Sequence, residues 1–515
     1  MGGRLMGFYL KKSDDVEILI LAEGTFPYVK GGVSTWIYQL ITGLPEISFG
    51  VVFLGSRPED YGDIKYDLPD NLKHLEVHYL FGSDEKPSVK KTRIKKEDFL
   101  YIKKLHRWFK SRSQTDLPEY IKDLDFYTEK VTIEKFLYSE EAWRFILSKY
   151  YRFSPDQSFI DYFWTIRNIH TPIWVVARLA KRIKNYRVIH SPSTGYAGFL
   201  GALMHFDTGK PFILTEHGIY TRERKIDLLN ADWIEDKRTI LQKEIGEIDY
   251  LRKVWVSFFE GLGKMIYTAS DPIISLFDRA RDIQISYGAP PEKTKIIPNG
   301  VDIHRLGDLV KKRSEDIPPV ITLIGRVVPI KDIKTFIKAI RIVANHIPDI
   351  EGWIVGPEDE DPDYARECRF LVETLGLKNN IKFLGFQKID DILPKTGIVT
   401  LTSISEGMPL VVIEGFAAGV PAVTTDVGSC RQLIYGGIDE EDKKLGKAGE
   451  VVPIANPSKL AEAYISILSD KKIWYQYQRT ALERVKRYYS MEKFLNSYRN
   501  TYMEALSKWQ ESVLS

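Results

Sequence analysis

Hydrophobic residues fall into short dense runs, separated by longer stretches in which apolar positions recur every three or four residues. In the first half the runs are 16–22 (VEILILA), 51–55 (VVFLG), 187–193 (RVIHSPS), 211–218 (PFILTEHG) and 264–270 (KMIYTAS). In the second half they are 319–327, 352–357, 381–386, 397–403 and 420–426. Runs without strict polar alternation suit strands covered on both faces, as in a parallel sheet with helical crossovers. The helical half of the pattern is clear after Lys331. There Ile333, Phe336, Ile337, Ile340 and Val343 share one face, and Asp332 suits the N-cap.

Two such sets predict an α/β protein of two doubly wound domains. Charge and two prolines interrupt the pattern at 311–319 (KKRSEDIPP), so domains are expected at 1–314 and 315–490. A last helical pattern, 491–515, has no strand partner and is expected to pack back on one of them, the N-terminal domain in particular. Between 81 and 186 the strand–helix rhythm lapses into charged, aromatic helical sequence, read as an insertion. Its segment 86–113 is rich in Lys and Arg. A solvated helix face is the commoner meaning of such a run; a dock for anionic lipid or an acidic partner is the alternative.

Composition narrows the class without naming it. The 515 residues are 44% hydrophobic and 28% charged, with a net charge of +3. That is ordinary for a globular chain and too weak to suggest nucleic acid as a partner. Two cysteines, neither in a CxxC pair, and nine histidines without an HExxH argue against a disulfide framework and against zinc. The N-terminus does not read as a signal peptide, and no run is long enough to span a bilayer. A soluble cytoplasmic protein is expected, with peripheral attachment at the inner face of the cytoplasmic membrane as the alternative.

Open α/β sheets bind ligands at the carboxyl ends of their strands. The polar clusters fall there: Gly24–Ser34 after the first run, His217 after the fourth, then Arg326 and Glu406 in the second half. In 402–421 (TSISEGMPLVVIEGFAAGVP), Gly407 turns the chain and Pro409 suits the first helical position. The helix-start amides around Met408–Leu410 form an anion site, with Glu406 before it and Glu414 on the helix. Carboxylates in those places can accept hydrogen bonds from sugar hydroxyls. Arg326 and Lys331, five residues apart, can hold an anion between them. The loop with Gly31 and Gly32 lacks both the GxGxxG spacing and the Lys-Ser ending of a P-loop. Its glycines are expected to let backbone approach a ligand that bulkier residues would block. His170 and His190 read more simply as buried, hydrogen-bonded rings.

Together, Glu406 and Glu414 (E-x7-E), Gly325, Arg326 and Lys331 (G-R-x4-K) and 296–302 (IIPNGVD) resemble the family 4 retaining glycosyltransferases of the GT-B fold. Residues 23–41 (EGTFPYVKGGVSTWIYQLI) and 215–224 (TEHGIYTRER) narrow the resemblance to the PelF-type enzymes of Pel exopolysaccharide systems. The resemblance implies two Rossmann-like domains facing each other across a cleft, with a helical insertion in the first. It implies transfer of a hexosyl or N-acetylhexosaminyl unit, with retention, from UDP-glucose or a UDP-N-acetylhexosamine to a growing exopolysaccharide in biofilm formation. Arg326 and Lys331 would hold the diphosphate. Glu406 would contact the transferred sugar, Glu414 the ribose, and His217 would lie beside the anomeric centre. Gly31, Gly32, Asn299, Gly325, Phe386, Gly407, Met408, Pro409 and Leu410 would complete the donor site. No cofactor or obligatory metal is implied, and the acids of 356–367 read as a solvated loop. Polysaccharide synthase and export proteins of the inner membrane would be partners. One stretch departs from the family: 426–434 (DVGSCRQLI) offers Ser429, Cys430 and Arg431 where many members carry two glycines and an acid. Two other readings remain: a sugar-nucleotide-binding assembly subunit without turnover, and, remotely, a dinucleotide-dependent oxidoreductase.

Overall fold

The computed structural model describes residues 7–13, 15–81, 92–111, 116–153, 158–229 and 250–514. The chain divides into two compact units: Met1–Ser275 with Arg281–Lys295 and Tyr498–Ser515, and Leu276–Ala280 with Ile296–Ser497. The final helix, Met491–Leu514, therefore starts in the second unit and ends in the first.

The first unit is built on eight strands: β1 Gly7–Lys11, β2 Ile18–Glu23, β3 Phe49–Gly55, β4 Leu72–Tyr79, β5 Val188–Ser191, β6 Phe212–Glu216, β7 Ile273–Ser275 and β8 Thr294–Ile296. Their order is β1-β4-β3-β2-β5-β6-β7-β8. The pairs from β4 through β7 are parallel, and β1 joins β4 antiparallel. Every residue of β3, β5 and β6 is buried, which is why those runs read as continuously apolar rather than alternating. The second unit carries β9 Val320–Ile324, β10 Glu351–Val355, β11 Ile381–Gly385, β12 Ile398–Leu401, β13 Ala422–Thr425 and β14 Gly449–Val452, in the order β11-β10-β9-β12-β13-β14. All its pairs are parallel. In each sheet the chain winds outward one way and then the other, so strand order reverses between β2 and β5 and between β9 and β12.

The run 264–270 is not a strand. It closes the helix Tyr250–Ala269, and the strand follows at β7. Leu251, Phe258, Leu262, Met265, Ile266 and Ala269 are spaced by three, four and seven residues and are all buried. A short apolar run inside such a helix looks like a strand when taken alone. The helix Ile333–Ala344 forms as its pattern predicts. The Asp332 carboxylate accepts the Thr335 N–H at 3.3 Å, and Ile333, Phe336, Ile337, Ile340 and Val343 are fully buried.

The insertion is helical, with longer helices at Lys96–Lys110, Glu140–Phe153 and Phe159–Arg182. Residues 86–91 and 112–113 of the basic segment lie outside the described residues. In the part described, Phe99, Ile102, Leu105, Trp108 and Phe109 point into the core, leaving the lysines and arginines on the opposite face.

One buried ion pair ties the end of the second unit together. Arg484 Nε donates to Asp442 Oδ1 at 2.6 Å, with both side chains fully buried. Its other nitrogens donate to the carbonyls of Leu433, Ile434, Asp442 and Gly446 at 2.7–3.2 Å. Removing one partner strands a buried charge and five donor–acceptor contacts. Arg484→Ala is expected to cost about 3–5 kcal/mol in urea denaturation, while Arg487→Ala, three residues on in an exposed pair with Glu483, leaves the midpoint in place.

Candidate functional site

At the switch point of the second sheet, the chain leaving β9 meets the chain leaving β12. Lys331 closes a short turn, Pro329–Lys331, and its Nζ pairs with the Glu406 carboxylate. Ser403 Oγ donates to Glu406 Oε1 at 2.7 Å, so both a cation and a hydroxyl hold that carboxylate. The backbones are stitched as well: Thr402 Oγ1 donates to the Lys331 carbonyl at 2.7 Å and Ile404 N–H to the Ile330 carbonyl at 2.9 Å. Two glycines outside the predicted set make this approach feasible. A Cβ on Gly356 would lie 2.0 Å from the Gly325 carbonyl oxygen, and one on Gly428 would lie 2.1 Å from that of Gly407 and 2.4 Å from that of Glu406. Ser429 N–H donates to the Gly407 carbonyl at 2.9 Å. The departing stretch 426–434 thus serves as the wall on which the Glu406–Gly407 turn rests.

Around this centre the other expected residues are unevenly placed. Arg326 is half-exposed, and its Nη1 lies 2.6 Å from each carboxylate oxygen of Glu360. The loop 356–367 is therefore not merely solvated, because it supplies the local partner of this cation. Gly325 is close enough to Lys331 that a Cβ would sit 3.5 Å from its side chain. The helix begins at Leu410 with Pro409 as its N-cap, one residue later than expected, and runs to Ala417. Glu414 lies on it, and burial pushes its pKa up, opposed by the nearby Arg305 guanidinium. Asn299 donates its N–H to the Met408 sulfur at 3.4 Å, while its side-chain Oδ1 is buried without a hydrogen-bond partner. Phe386 stands 82% exposed in the loop after β11. Arg431 pairs with Asp426 and points into solvent. Cys430 is buried, and burial pushes its thiol up to about 12, so it is a packed side chain and no nucleophile at neutral pH.

The first unit has its own concavity at its own switch point, a cavity of about 620 Å³ between the ends of β2 and β5. Tyr61, Phe81, Tyr196, Tyr220, Trp255 and Phe259 give it aromatic walls; Glu23, Ser193, His217 and Arg224 give it polar ones. Glu23 Oε2 accepts the Ala197 N–H at 3.0 Å, and burial pushes its carboxyl up from the usual range. His217 follows β6 and meets the edge of the Trp36 indole with ring centroids 4.7 Å apart. Its Nε2 is buried without a hydrogen-bond partner, and burial pushes its pKa down to about 3, so the ring is neutral at physiological pH. Trp36 belongs to the helix Gly32–Gly43, entered through Gly31 at φ +90° and Gly32 at φ +50°. A Cβ on either glycine would meet nothing within 4 Å. Within the protein their requirement is thus conformational, and the open space beside them is room that a side chain would take from a ligand. His190 hydrogen-bonds Tyr502 and Thr215, and His170 the Ile166 carbonyl, both as buried structural rings.

Comparison with known proteins assigns the chain. Residues 16–292 match the family described as Domain of unknown function (DUF3492). The chain belongs to the DUF3492 family. Residues 308–484 of this DUF3492 protein match Glycosyl transferases group 1, so the second unit is a group 1 domain. Among curated relatives, an exopolysaccharide phosphotransferase of Streptomyces coelicolor is 27% identical over 47% of this chain and 24% of its own. A D-inositol 3-phosphate glycosyltransferase of Rhodococcus erythropolis is 26% identical over 49% of this chain and 55% of its own. The chain thus spans between about a quarter and about half of the lengths of these relatives. Among solved structures, Anabaena HepE in complex with UDP superposes with a TM-score of 0.59 at 16% identity, covering 95% of this chain and all of its own. Sucrose-phosphate synthase from Thermosynechococcus elongatus gives 0.57 at 17%, covering 96% and 100%. These likenesses establish the GT-B fold class expected from the sequence.

The DUF3492 site residues that sequence reasoning missed are Gly356, Gly428, Glu23 and the aromatic cavity walls. The glycines carry no side-chain chemistry, and the aromatics come from segments far apart in the chain. Glu23 alone had a signal, as an acid closing a buried strand. The neutral His217 leads to a pH expectation. Its folded pKa lies below the unfolded value of 6.5, so the unfolded chain binds more protons as pH falls through that window, and stability declines from about pH 6.5 toward 3. Denaturation at stepped pH should show a shallower acid slope for His217→Gln than for the parent protein, and the parent ring should not titrate above about pH 5.

Proposed function

We propose that this DUF3492 protein is a retaining glycosyltransferase that moves a hexosyl or N-acetylhexosaminyl unit from a UDP-sugar to a growing exopolysaccharide of the Pel type. The observation that carries the proposal is the Lys331–Glu406 pair at the β9/β12 switch point, with Arg326 beside it in a group 1 domain. Similar folds solved with UDP and with UDP-glucose support the donor, and an exopolysaccharide relative supports the product class.

Cleavage of the sugar–phosphate bond builds negative charge on the departing diphosphate. Arg326 and Lys331 are the cations that stabilise it, making a metal unnecessary in this reading. The Arg326–Glu360 pair is solvent-exposed, worth at most about 1 kcal/mol, so a diphosphate with two negative oxygens displaces Glu360. Lys331 is held by Glu406, which also orients a hydroxyl of the transferred sugar. Glu414 accepts hydrogen bonds from the ribose, and the buried, unpartnered Asn299 oxygen is a second acceptor ready for a donor group. Gly407, Met408, Pro409 and Leu410 shape the turn beside the phosphates, and Phe386 offers a face to the base. In the first unit, the aromatic cavity suits sugar rings of the acceptor, since C–H faces stack on aromatic side chains. His217, neutral and with a free ring nitrogen, hydrogen-bonds a sugar hydroxyl rather than acting as a cation. Inner-membrane polysaccharide synthase and export proteins are the partners this role requires, at the cytoplasmic face.

The test is turnover of UDP-glucose and UDP-N-acetylhexosamines by purified protein with oligosaccharide acceptors, reading UDP release and the anomeric configuration of the product by NMR. Arg326→Ala and Lys331→Ala should each lower kcat about 10²–10³-fold, and Glu406→Ala should abolish transfer. Glu414→Ala should chiefly raise the donor KM. Tight UDP binding without transfer to any acceptor would establish the assembly-subunit reading instead. Gly32→Val, forced into positive φ, should reduce transfer at unchanged UDP affinity in calorimetry; full activity in that variant would remove the loop from the site.

A further inference from the structure

The helical insertion carries a cluster of like charges that no other part of the fold explains. Lys103, Arg107 and Lys110 lie at i, i+4 and i+7 on the helix Lys96–Lys110, and Lys149 and Arg152 lie near the end of Glu140–Phe153. Three of these cations surround one ring: from the Phe153 centroid, Lys110 Nζ is 3.4 Å away, Lys149 Nζ 5.5 Å and the Arg152 guanidinium carbon 5.2 Å. Phe153 stacks on Tyr250 at 5.3 Å. Among the described residues none of the five cations pairs with a carboxylate, although lysines and arginines elsewhere in the insertion do, as Arg144 with Glu140 and Lys181 with Asp125 and Glu129. Burial first, and then the neighbouring cations, lower the pKa of both Lys110 and Lys149. Such crowding opposes folding, so it marks a surface kept for something that neutralises it.

Large apolar side chains project from the solvent side of Glu140–Phe153 and of the next helix, Phe159–Arg182. Tyr151 is 70% exposed, Ile160 66%, Trp164 53% and Trp143 46%. Ring contacts join the aromatic members into one patch: Trp143 touches Phe163 at 5.9 Å and Phe159 at 5.7 Å, Phe163 touches Trp164 at 5.6 Å, and Tyr150 bridges Phe159 at 5.1 Å and Tyr151 at 5.5 Å. The helix Glu140–Phe153 thus carries cations toward one neighbour and aromatics toward the other.

We propose that this face of the insertion docks on an anionic lipid surface, with Lys103, Arg107, Lys110, Lys149 and Arg152 facing the headgroups and Trp143, Tyr151, Ile160 and Trp164 entering the interface. Tryptophan and tyrosine rings favour the headgroup boundary, and clustered basic side chains favour acidic lipid. An acidic protein would satisfy the charges but leave the four projecting apolar side chains without a medium, so the membrane is the better match. This also separates the working parts of the basic stretch near 86–113: its own aromatics are core, and those that meet lipid come from the two following helices.

The full chain is tested by co-sedimentation with vesicles of phosphatidylcholine alone and of equimolar phosphatidylcholine and phosphatidylglycerol. Binding to the anionic vesicles only is expected, weakening as salt rises. Each basic side chain near such a surface contributes about fivefold, so Lys110→Gln/Lys149→Gln/Arg152→Gln should bind about a hundredfold more weakly. Its thermal midpoint should be equal to or above the parent's, because repulsion is removed, which separates lost docking from lost folding. Trp143→Ser/Trp164→Ser should weaken vesicle binding at least about tenfold and shift to the red the tryptophan emission seen with vesicles. Equal binding to neutral vesicles, or parent affinity in the triple variant, overturns the proposal. So does salt-sensitive capture of soluble polyglutamate, unaffected by the tryptophan changes, in a protein that ignores vesicles.

Discussion

The second unit works only because backbone can touch backbone where its strands end. Carbonyls of Gly325, Glu406 and Gly407 are approached so closely by Gly356 and Gly428 that no β-carbon fits. With those contacts in place, the exits from β9 and β12 sit side by side, Lys331 reaches Glu406, and Ser403 completes the carboxylate's environment. Were either glycine replaced, the loops would separate by roughly the radius of a methyl group. A carboxylate and an ammonium held in hydrogen-bond contact tolerate no such displacement. Under the proposed function the charged residues are the chemistry, and the side-chain-free positions behind them are what makes it geometrically available.

The two candidate sites sit in different electrostatic settings. In the first unit, burial works against the charged forms: it drives His170, His190 and His217 down and the carboxyls of Glu23 and Glu216 up. Its cavity thus sets aromatic faces beside a neutral His217, a carboxyl whose ionisation burial opposes, and the Arg224 guanidinium. In the second, Arg326, Lys331 and Glu406 keep access to solvent and have charged partners within contact distance. Under the proposed function, recognition of the acceptor sugar falls to the first sheet's aromatic cavity and recognition of the diphosphate to the second sheet's charged pairs.

Much of this was legible in the amino-acid pattern, and the exceptions share a cause. Unalternating apolar runs identified β2, β3, β5, β6 and β9–β13, because a strand covered on both faces leaves that trace. The trace fails for β1, whose residues are exposed or half-exposed, and for β4, whose line of His74, Glu76 and His78 is polar yet buried through the Arg182 pairing. It misleads at 264–270, where a helix buried on most sides imitates a strand. Arg326, Lys331 and Glu406 were visible as charges at strand ends, and Glu414 as one on the helix that follows. Glu360 as a partner of Arg326, the glycine contacts and the aromatic cavity depend on which distant segments meet, and spacing along one chain does not encode that.

The Arg326–Glu360 contact has a consequence for how an anion is received. A bare arginine at a protein surface gathers small counterions, which a ligand must release, and binding then weakens steeply with added salt. Here the chain carries its own counterion on a neighbouring loop. An arriving anion exchanges with a tethered carboxylate, whose local concentration is indifferent to the medium. In the proposed reading the site thereby gives up the strength of that exposed pair, at most about 1 kcal/mol, for a weaker dependence on ionic conditions.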